Sequence, residues 1–235
     1  MDINIFEKGI KDLNFDIDNE KIGNFKIFSS LLLEWNKKMN LTAVTDPAEI
    51  SVKHFLDSIA PLSVIDLKNN SKVIDVGTGA GFPGIPLKII REDLDFTFMD
   101  SLNKRINFLK EVADQIKLDK VEFIHSRAEE AGKNKIYREK YDYAVSRAVA
   151  NLKVLCEYCI PFVKVGGYFI SFKQFEVDDE IEEAKPMIGT LGGKISEIKE
   201  IEIPQSDIKR KIIIIEKVKE TPVQFPRNPN KIKKR

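Results

Sequence analysis

The sequence has little cysteine and almost no net charge. Its two cysteines, Cys156 and Cys159, are too few for a disulfide framework. They are two residues apart, but no second pair exists to complete a zinc site, so we expect them to be small core residues of an apolar helix. The 38 Lys and Arg residues balance 37 Asp and Glu residues, giving a net charge of +1. Affinity for nucleic acid would therefore have to come from local patches.

Long hydrophobic runs are also missing. No apolar segment approaches the length of a membrane span, and the first residues carry an acid, Asp2, with no apolar stretch after it, so no secretory signal is predicted. We expect a cytoplasmic protein that does not bind membranes. The 43% of hydrophobic residues is enough for a core, and 235 residues suit one large domain or a domain with an extension.

A strand, a glycine-rich turn and a helix follow one another at residues 72–91. Lys72–Val76 is a short apolar run that is typical of a buried strand. Four glycines then occur between residues 77 and 84, and residues 85–91 predict a helix with prolines confined to its first turn. Because glycines carry no Cβ, a ligand can lie against the backbone of this turn, at the sheet edge where α/β proteins bind ligands. The stretch predicts a nucleotide cradle.

Two ligand classes fit the cradle at first sight. Residues 79–84 match G-x-G-x-x-G, the dinucleotide pattern. Counted from Gly77, the first glycine after the strand, the third glycine comes one residue too early for that pattern. The acid inside the strand, Asp75, together with the glycines after it, is similar to the first motif of S-adenosylmethionine-dependent methyltransferases, where no phosphate is present.

Three further strand ends supply candidate site residues. Asp95–Asp100 predicts the second strand, and its last residue, Asp100, could accept both hydroxyls of a ribose or could cap the next helix. After a third strand, Val121–His125, the segment from Ser126 to Glu129 has the spacing of a capping box, but the same turn could lie against an adenine. A fourth strand over residues 141–146 ends at Arg147, which could contact a cofactor carboxylate, an RNA phosphate or a structural ion-pair partner.

The rest of the chain completes an α/β pattern. Residues 1–65 are predicted to be helical, with an apolar stripe at residues 25–39 and a helix start at Asp46. His54, Asp57 and Ser58 follow on one helix face, where we expect hydrogen bonding rather than a catalytic triad. A fifth strand over residues 166–172, an acidic helix over 176–185, and an antiparallel pair over 194–203 and 211–216 follow.

The predicted fold class is therefore a Rossmann-like class I methyltransferase. It has a mostly parallel seven-stranded sheet with an antiparallel C-terminal hairpin. We expect a helical extension over residues 1–65, a cofactor-binding domain over 66–220 and a basic tail over 221–235. Such a tail is either solvated and disordered or binds RNA phosphates.

Several motifs together resemble one family closely. They are Asn40-Leu41-Thr42, His54-Phe55-Leu56-Asp57-Ser58, the segment from Asp75 to Leu87, and Ser146-Arg147-Ala148. They resemble the ribosomal RNA small subunit methyltransferase G family, also called glucose-inhibited division protein B. The resemblance implies S-adenosylmethionine as cofactor and N7 of one guanine in 16S ribosomal RNA as acceptor. It implies cofactor contacts at Gly77, Phe82, Asp100, Ser101, Leu102, Ala128, Glu129 and Arg147.

The implied chemistry is consistent with the residues present. Guanine N7 has a lone pair and no proton, so methylation needs no general base, and catalysis would rest on positioning, with Arg147 as the catalytic residue. We expect 16S ribosomal RNA or the 30S subunit as partner, no DNA, no metal and a monomeric protein. A small-molecule methyltransferase, a nicotinamide-dependent reductase and a non-enzymatic RNA-binding module remain the alternatives.

Overall fold

The computed structural model describes residues 1–147, 150–228 and 232, and it is built on one central sheet. The strands are β1 (Lys72–Val76), β2 (Asp95–Asp100), β3 (Val121–His125), β4 (Tyr141–Arg147), β5 (Val163–Gln174), β6 (Gly193–Glu202) and β7 (Lys209–Lys217). Their order is β3-β2-β1-β4-β5-β7-β6. Strands β1 to β5 are parallel, and β7 runs antiparallel to β5 and β6. The mostly parallel sheet with an antiparallel C-terminal hairpin is therefore confirmed.

Helices cover both faces of the sheet. They are α1 (Ile3–Asp12), α2 (Asn19–Met39), α3 (Pro47–Glu49), a π-helix (Ile50–Leu56), α4 (Asp57–Ile59), a 3-10 helix (Ala60–Ser63), α5 (Gly84–Ile90), α6 (Asn103–Gln115), α7 (Ala128–Ala131), α8 (Leu152–Cys159), a second 3-10 helix (Ile160–Phe162) and α9 (Asp178–Thr190). The predicted start at Asp46 is confirmed, because its Oδ1 accepts hydrogen bonds from two backbone N–H groups of α3. The acidic helix α9 is longer than predicted, because it continues through Pro186 and buries Ile188 near its end.

Alternation along the strands divides the interior into two cores. Val73 of β1 faces one core and Ile74 faces the other, as a period of two residues requires. The first core contains the apolar side chains of α1, α2, the π-helix, α5 and α6, and the second contains those of α8 and α9. Both cysteines are buried in the second core, so their predicted role as core residues is confirmed.

The N-terminal helices are built around an aromatic cluster. Phe6 of α1, Phe25 and Phe28 of α2, and Phe55 of the π-helix are fully buried, with ring centroids of the first two 4.6 Å apart. Phe28 also contacts Phe82, which lies in the glycine turn, at 5.2 Å between centroids. The helical segment of residues 1–65 is thereby fixed directly against the predicted cradle.

The segment after β7 is packed, which corrects the expectation of a solvated tail for residues 221–228. Phe225 is buried in the second core. The backbone N–H, Nε and Nη2 of Arg227 all donate to the carboxylate of Glu157, a fully buried residue of α8. No Asp or Glu follows Glu220 in the sequence, and the partner of Arg227 lies 70 residues away along the chain. The remaining basic residues of the tail, Lys231, Lys233, Lys234 and Arg235, lie outside the described residues.

Candidate functional site

The glycine turn lies at the carboxyl ends of β1 and β2. Gly77 and Gly79 have φ of 73° and 60°, the left-handed region that glycine adopts without strain. The N–H groups of Gly77 and Thr78 donate to the carbonyl of Met99 at 2.9 and 3.0 Å, which fixes the turn to the neighbouring strand. A Cβ on Gly79 would have only the Gly77 oxygen within 4 Å, at 3.9 Å, so this side of the backbone is open.

Asp75 holds the turn from below. Its Oδ2 accepts hydrogen bonds from Thr78 Oγ1 at 2.7 Å and from the N–H of Gly84 at 2.9 Å. A Cβ at Gly84 would lie 2.6 Å from that oxygen, so only glycine allows this approach. Burial raises the pKa of Asp75 to about 7, against the lowering effect of both hydrogen bonds. The predicted need for a hydrogen-bonded carboxylate inside β1 is thus met, and its role is to shape the cradle.

Asp100 connects the glycine turn to the start of α6. Its Oδ2 accepts from the N–H of Gly79 at 3.0 Å and lies 3.3 Å from Arg105 Nη1, and its Oδ1 accepts from the N–H of Leu102 at 2.9 Å. The N-cap of α6 is Leu102 itself, so Asp100 is not the helix cap that the sequence allowed. A carboxylate has about four acceptor positions, which leaves room for ribose hydroxyls beside these internal bonds.

A cleft of about 540 Å³ opens above the turn, which we call the cofactor cleft. Its walls include seven of the eight residues that the sequence singled out: Gly77, Phe82, Asp100, Ser101, Ala128, Glu129 and Arg147. The eighth, Leu102, is 51% exposed and contributes its N–H to Asp100 beside the cleft. The cleft is also lined by Leu41, Thr42, His54, Val76, Thr78, Gly79, Ala80, Met99, Arg105, Ser126, Arg127 and Tyr158.

The turn after β3 forms one end of the cofactor cleft. Of the two alternatives for this turn, the capping box is not formed, because the N-cap of α7 is Arg127, with no side-chain cap, and the Ser126 hydroxyl donates to the Arg127 carbonyl instead. Glu129 is buried at the cleft wall. Burial, followed by the charge of Glu129, raises the pKa of the neighbouring Tyr158. Glu129 is therefore free of the capping role and faces the site.

Arg147 forms the opposite end. Its guanidinium carbon lies 5.2 Å from the centroid of Phe82, and its Nη1 donates to Asp57 Oδ2 at 2.9 Å. Asp57 also accepts from Arg210 of β7, through Nε at 2.8 Å and Nη2 at 3.2 Å. Burial lowers the pKa of Arg147, and the charge of Asp57 counters that effect. The ion pair that the sequence left open for Arg147 is formed, and its side chain also borders the cleft.

His54 is a site residue whose position the sequence did not predict. Its ring stacks on Phe82 with centroids 4.4 Å apart and planes 17° apart, and its Nε2 is 2.8 Å from Thr42 Oγ1. The Ser58 hydroxyl donates to the main-chain oxygen of His54, not to the ring, so the expectation of hydrogen bonding rather than a triad is confirmed. Burial, followed by the charge of Arg147, lowers the pKa of His54 to about 4, so the ring is neutral at pH 7. The signal in the sequence was that the motifs Asn40-Leu41-Thr42 and His54-Phe55-Leu56-Asp57-Ser58 both belong to the family resemblance.

A second cavity of about 530 Å³ adjoins the cofactor cleft. The two cavities have His54 and Arg147 in common. The other residues that line the second cavity are Val44, Lys53, Asp57, Ala150, Asn151, Phe172, Lys173, Gln174, Val177, Glu180 and Arg210. The site thus offers space for two ligands that meet at one wall.

Neither a metal cluster nor a membrane span occurs in the described part of the chain. Its His, Cys, Asp and Glu side chains form no group of three or more that could hold a metal ion. No helix among residues 1–147, 150–228 and 232 is long and apolar enough to cross a membrane.

The cofactor cleft fits a nucleoside with an amino-acid side arm. Its volume lies within the range of ligand pockets. Gly77 and Gly79 line its floor, where the backbone of Gly79 is open, and the acids Asp100 and Glu129 and the cation Arg147 line its wall. These are the groups needed by ribose hydroxyls, by the amine of a base and by a carboxylate, respectively.

The sheet order and the cleft at the strand ends are those of the class I methyltransferase fold, which solved structures share. A SAM-dependent methyltransferase from Aquifex aeolicus superposes with a TM-score of 0.53 at 20% identity, covering 78% of this chain and 97% of that one. A precorrin-6y C5,15-methyltransferase from Geobacter metallireducens gives 0.51 at 12% identity, covering 68% and 87%. At these identities the similarity establishes the fold alone.

The family is established by sequence. The chain belongs to the rRNA small subunit methyltransferase G family, whose sequence model matches residues 21–212. A relative named ribosomal RNA small subunit methyltransferase G, from Alkaliphilus metalliredigens, is 52% identical over 96% of this chain and 94% of its own length. One of the same name from Clostridium novyi is 49% identical over 96% and 93%. The predicted family, the methyltransferase activity and the cofactor S-adenosylmethionine are thereby confirmed.

Proposed function

We propose that this methyltransferase modifies N7 of a guanine in 16S ribosomal RNA. Family membership supports small-subunit RNA as the substrate class. One observation about the site supports the choice of atom: the two side chains that both cavities share, His54 and Arg147, include no strong general base. Among the described residues that line the cofactor cleft, the one imidazole is His54, whose pKa is lowered to about 4. Guanine N7 has no proton to remove, so this part of the site suits it.

The cofactor roles follow the position of each residue around the cleft. S-adenosylmethionine, when bound, supplies an electrophilic methyl group on a sulfonium centre. In the proposal, Gly77 and Phe82 form the edges of the cradle. Asp100 accepts hydrogen bonds from the ribose hydroxyls, and Ala128 and Glu129 face the adenine. Ser101 and Leu102 continue the wall beside Asp100, whose carboxylate is held by two backbone N–H groups.

Arg147 is the proposed catalytic residue, and it acts by positioning. Its guanidinium is fixed by Asp57 and by the ring of Phe82, and Arg147 lines both cavities. A fixed cation at that point can hold the carboxylate of the methyl donor or a phosphate of the RNA. Holding nucleophile, methyl carbon and leaving sulfur in line is worth up to about 7–11 kcal/mol.

The broader organisation is proposed on the same basis. Residues 1–65 form a helical extension that completes the site through Thr42 and His54, residues 66–220 form the cofactor-binding domain, and residues 221–235 form a basic tail. The protein acts as a monomer in the cytoplasm on 16S ribosomal RNA or on the 30S subunit, with no role for DNA or a membrane.

The test is methyl transfer to RNA from cells that lack this modification. Purified 30S subunits and naked 16S ribosomal RNA are incubated with tritium-labelled S-adenosylmethionine, and the modified nucleotide is mapped. We expect a single 7-methylguanosine. A different modified atom would refute the choice of N7, and no transfer to either RNA would favour the small-molecule methyltransferase. Calorimetry with S-adenosylmethionine and with NAD tests the reductase alternative, which predicts binding of NAD.

A further inference from the structure

We propose that the C-terminal segment of residues 221–228 positions the adenine end of the cofactor cleft. We call this segment the strap, and Arg138 is the positioning residue that ties it to the cleft wall. No described residue of the strap lines the cleft, so its effect on cofactor affinity is indirect. The inference rests on the proposed function in one respect, the placement of the adenine at Ala128 and Glu129.

Arg138 joins the strap to the end of α7. Its Nη1 donates to the carbonyl of Gly132, the C-cap of α7, at 2.8 Å and to that of Phe225 at 2.7 Å. Its Nη2 donates to the carbonyls of Thr221 at 2.6 Å and Pro222 at 3.3 Å. One guanidinium therefore binds four main-chain oxygens, three of them in the strap, because its donors form a rigid fork.

The helix α7 depends on contacts of this kind. It has only four residues, and its N-cap, Arg127, makes no side-chain capping bond. A helix this short is not stable by itself, because forming the first turn fixes several residues for a single hydrogen bond. Gly132 also lies against the strap, since a Cβ placed there would be 3.1 Å from the ring of Pro226. The strap therefore holds the element that carries Ala128 and Glu129.

The strap also fixes the neighbouring wall of the same end of the cleft. Arg227 holds the buried carboxylate of Glu157 in α8 through its backbone N–H and its guanidinium. The next residue, Tyr158, lines the cofactor cleft and is close to Glu129. Phe225 is buried in the second core, against which Tyr158 packs. Both α7 and α8 are thus attached to the strap where they form the adenine end.

An attachment of this kind changes cofactor affinity rather than the chemical step. The walls of the adenine end keep their position while the strap is docked, so the docked strap and the bound cofactor stabilise each other by the same free energy. Coupling between two such sites typically changes affinity about 5–150-fold. Arg147, at the opposite end of the cleft, belongs to β4 and is held by Asp57. The rate at saturating cofactor is therefore expected to be preserved.

Replacement of Arg138 tests the coupling. We expect Arg138→Ala to raise the Kd for S-adenosylmethionine about 10-fold in calorimetry. Methyl transfer to the 30S subunit at saturating cofactor should stay within 2-fold of the wild type, a separation of KM from kcat that general destabilisation does not produce. Arg138→Lys should recover part of the affinity, because an ammonium group can donate to some of the same carbonyls.

Arg91→Ala is the matched control for a general loss of stability. The guanidinium of Arg91 also ties two loops together, through Asp93 and Asn69. These loops precede β1 and β2, so they lie at the sheet edge opposite the cofactor cleft. We expect Arg91→Ala to lower Tm and to leave the Kd within 2-fold of the wild type. A normal Kd in Arg138→Ala, or an equal rise in both variants, would overturn the inference.

Hydrogen exchange in the wild type tests the reverse effect. Because the coupling is reciprocal, saturating S-adenosylmethionine should slow amide exchange in residues 221–228 about 10-fold, although this segment does not line the cleft. Residues 195–201 of the edge strand β6 are the internal control, and their exchange should change less than 2-fold. Unchanged exchange in the strap, or the same slowing in the strap and in β6, would refute the coupling.

Glu129→Ala separates this inference from the proposed function. It removes a side chain of the proposed adenine site itself, so we expect it to raise the Kd for S-adenosylmethionine at least 10-fold. Normal binding by Glu129→Ala would refute the proposed placement of the adenine. Weak binding by Glu129→Ala together with normal binding by Arg138→Ala would refute the role of the strap alone. These binding measurements contain no RNA, so a failure of guanine N7 as the acceptor leaves them unaffected.

Discussion

His54 stacks on Phe82 where the cofactor cleft meets the second cavity. Phe82 comes from the glycine turn after β1, and His54 comes from the π-helix of the N-terminal segment. Arg147, from the end of β4, lies against the same phenyl ring. Three distant parts of the chain therefore form the junction of the site. The neutral state of His54 matters there, because a second cation beside Arg147 would be repelled.

Acidification should destabilise the protein through His54. The folded-state pKa of about 4 lies below the ordinary 6.5, so between these values the unfolded chain binds more protons and stability falls as pH falls. The full effect, reached below pH 4, is about 3 kcal/mol. Chemical denaturation of wild type and His54→Gln at pH 7.5 and pH 4.5 measures it, and we expect the wild type to lose more stability than the variant.

The comparison with His54→Gln is needed because Asp75 acts in the opposite direction. Its folded-state pKa of about 7 lies above the ordinary 3.8, so protonation of Asp75 favours the folded state as pH falls from 7 to 4. That contribution is common to wild type and variant and cancels in the difference. Equal losses of stability in the two proteins would contradict a buried neutral His54.

Removal of the Arg147 side chain should impair catalysis without unfolding the protein. Asp57 would keep its two hydrogen bonds from Arg210, so no buried carboxylate is left unpaired. We expect Arg147→Ala to lower single-turnover methyl transfer to the 30S subunit about 100-fold or more at saturating cofactor, and Arg147→Lys to recover part of it. Circular dichroism checks the fold. Wild-type activity in Arg147→Ala would refute its catalytic role.

The sequence predicted the sheet and the donor side of the site because both are encoded locally. The predicted strands contain short apolar runs, and the cradle is encoded by four glycines and an acid between Asp75 and Gly84. Asp100 and Glu129 were found because they follow predicted strands whose ends meet at one sheet edge. The helix α9 continues beyond the predicted end at residue 185, because the burial of Ile188 offsets the backbone hydrogen bond that Pro186 cannot donate.

The contacts that the sequence could not predict join distant segments. The ion pair between Asp57 and Arg147 spans 90 residues, and that between Asp57 and Arg210 spans 153. Neither partner carries a local pattern that selects the other. The stack of His54 on Phe82 depends in the same way on how the N-terminal helices pack against the sheet, which an amphipathic stripe does not specify.

The open backbone at Gly79 should be needed for the cofactor more than for the fold. Alanine in its left-handed conformation costs about 1–2 kcal/mol, and the added Cβ meets open space above the turn. We expect Gly79→Ala to raise the Kd for S-adenosylmethionine at least 10-fold in calorimetry with a loss of only a few degrees in Tm. Gly189→Ala is the control, because that glycine lies in α9 with nothing within 4 Å of a Cβ. An unchanged Kd in Gly79→Ala would argue against a cradle at this turn.

The ion pair between Glu157 and Arg227 should be required to keep the C-terminal segment in place. Glu157 is fully buried, and Arg227 supplies its side-chain partner. Arg227→Ala leaves a buried charge unpaired, so we expect a loss of about 3–5 kcal/mol in the free energy of unfolding. The double variant Glu157→Gln with Arg227→Ala should recover much of this loss, because the neutral amide still accepts from the backbone N–H at 227.

The control is Lys185→Ala, which breaks an exposed ion pair with Glu182 and should change the free energy of unfolding by less than about 0.5 kcal/mol. Urea denaturation of the four proteins distinguishes the cases, and a double variant no more stable than Arg227→Ala would show that the segment is held by contacts other than this charge pair.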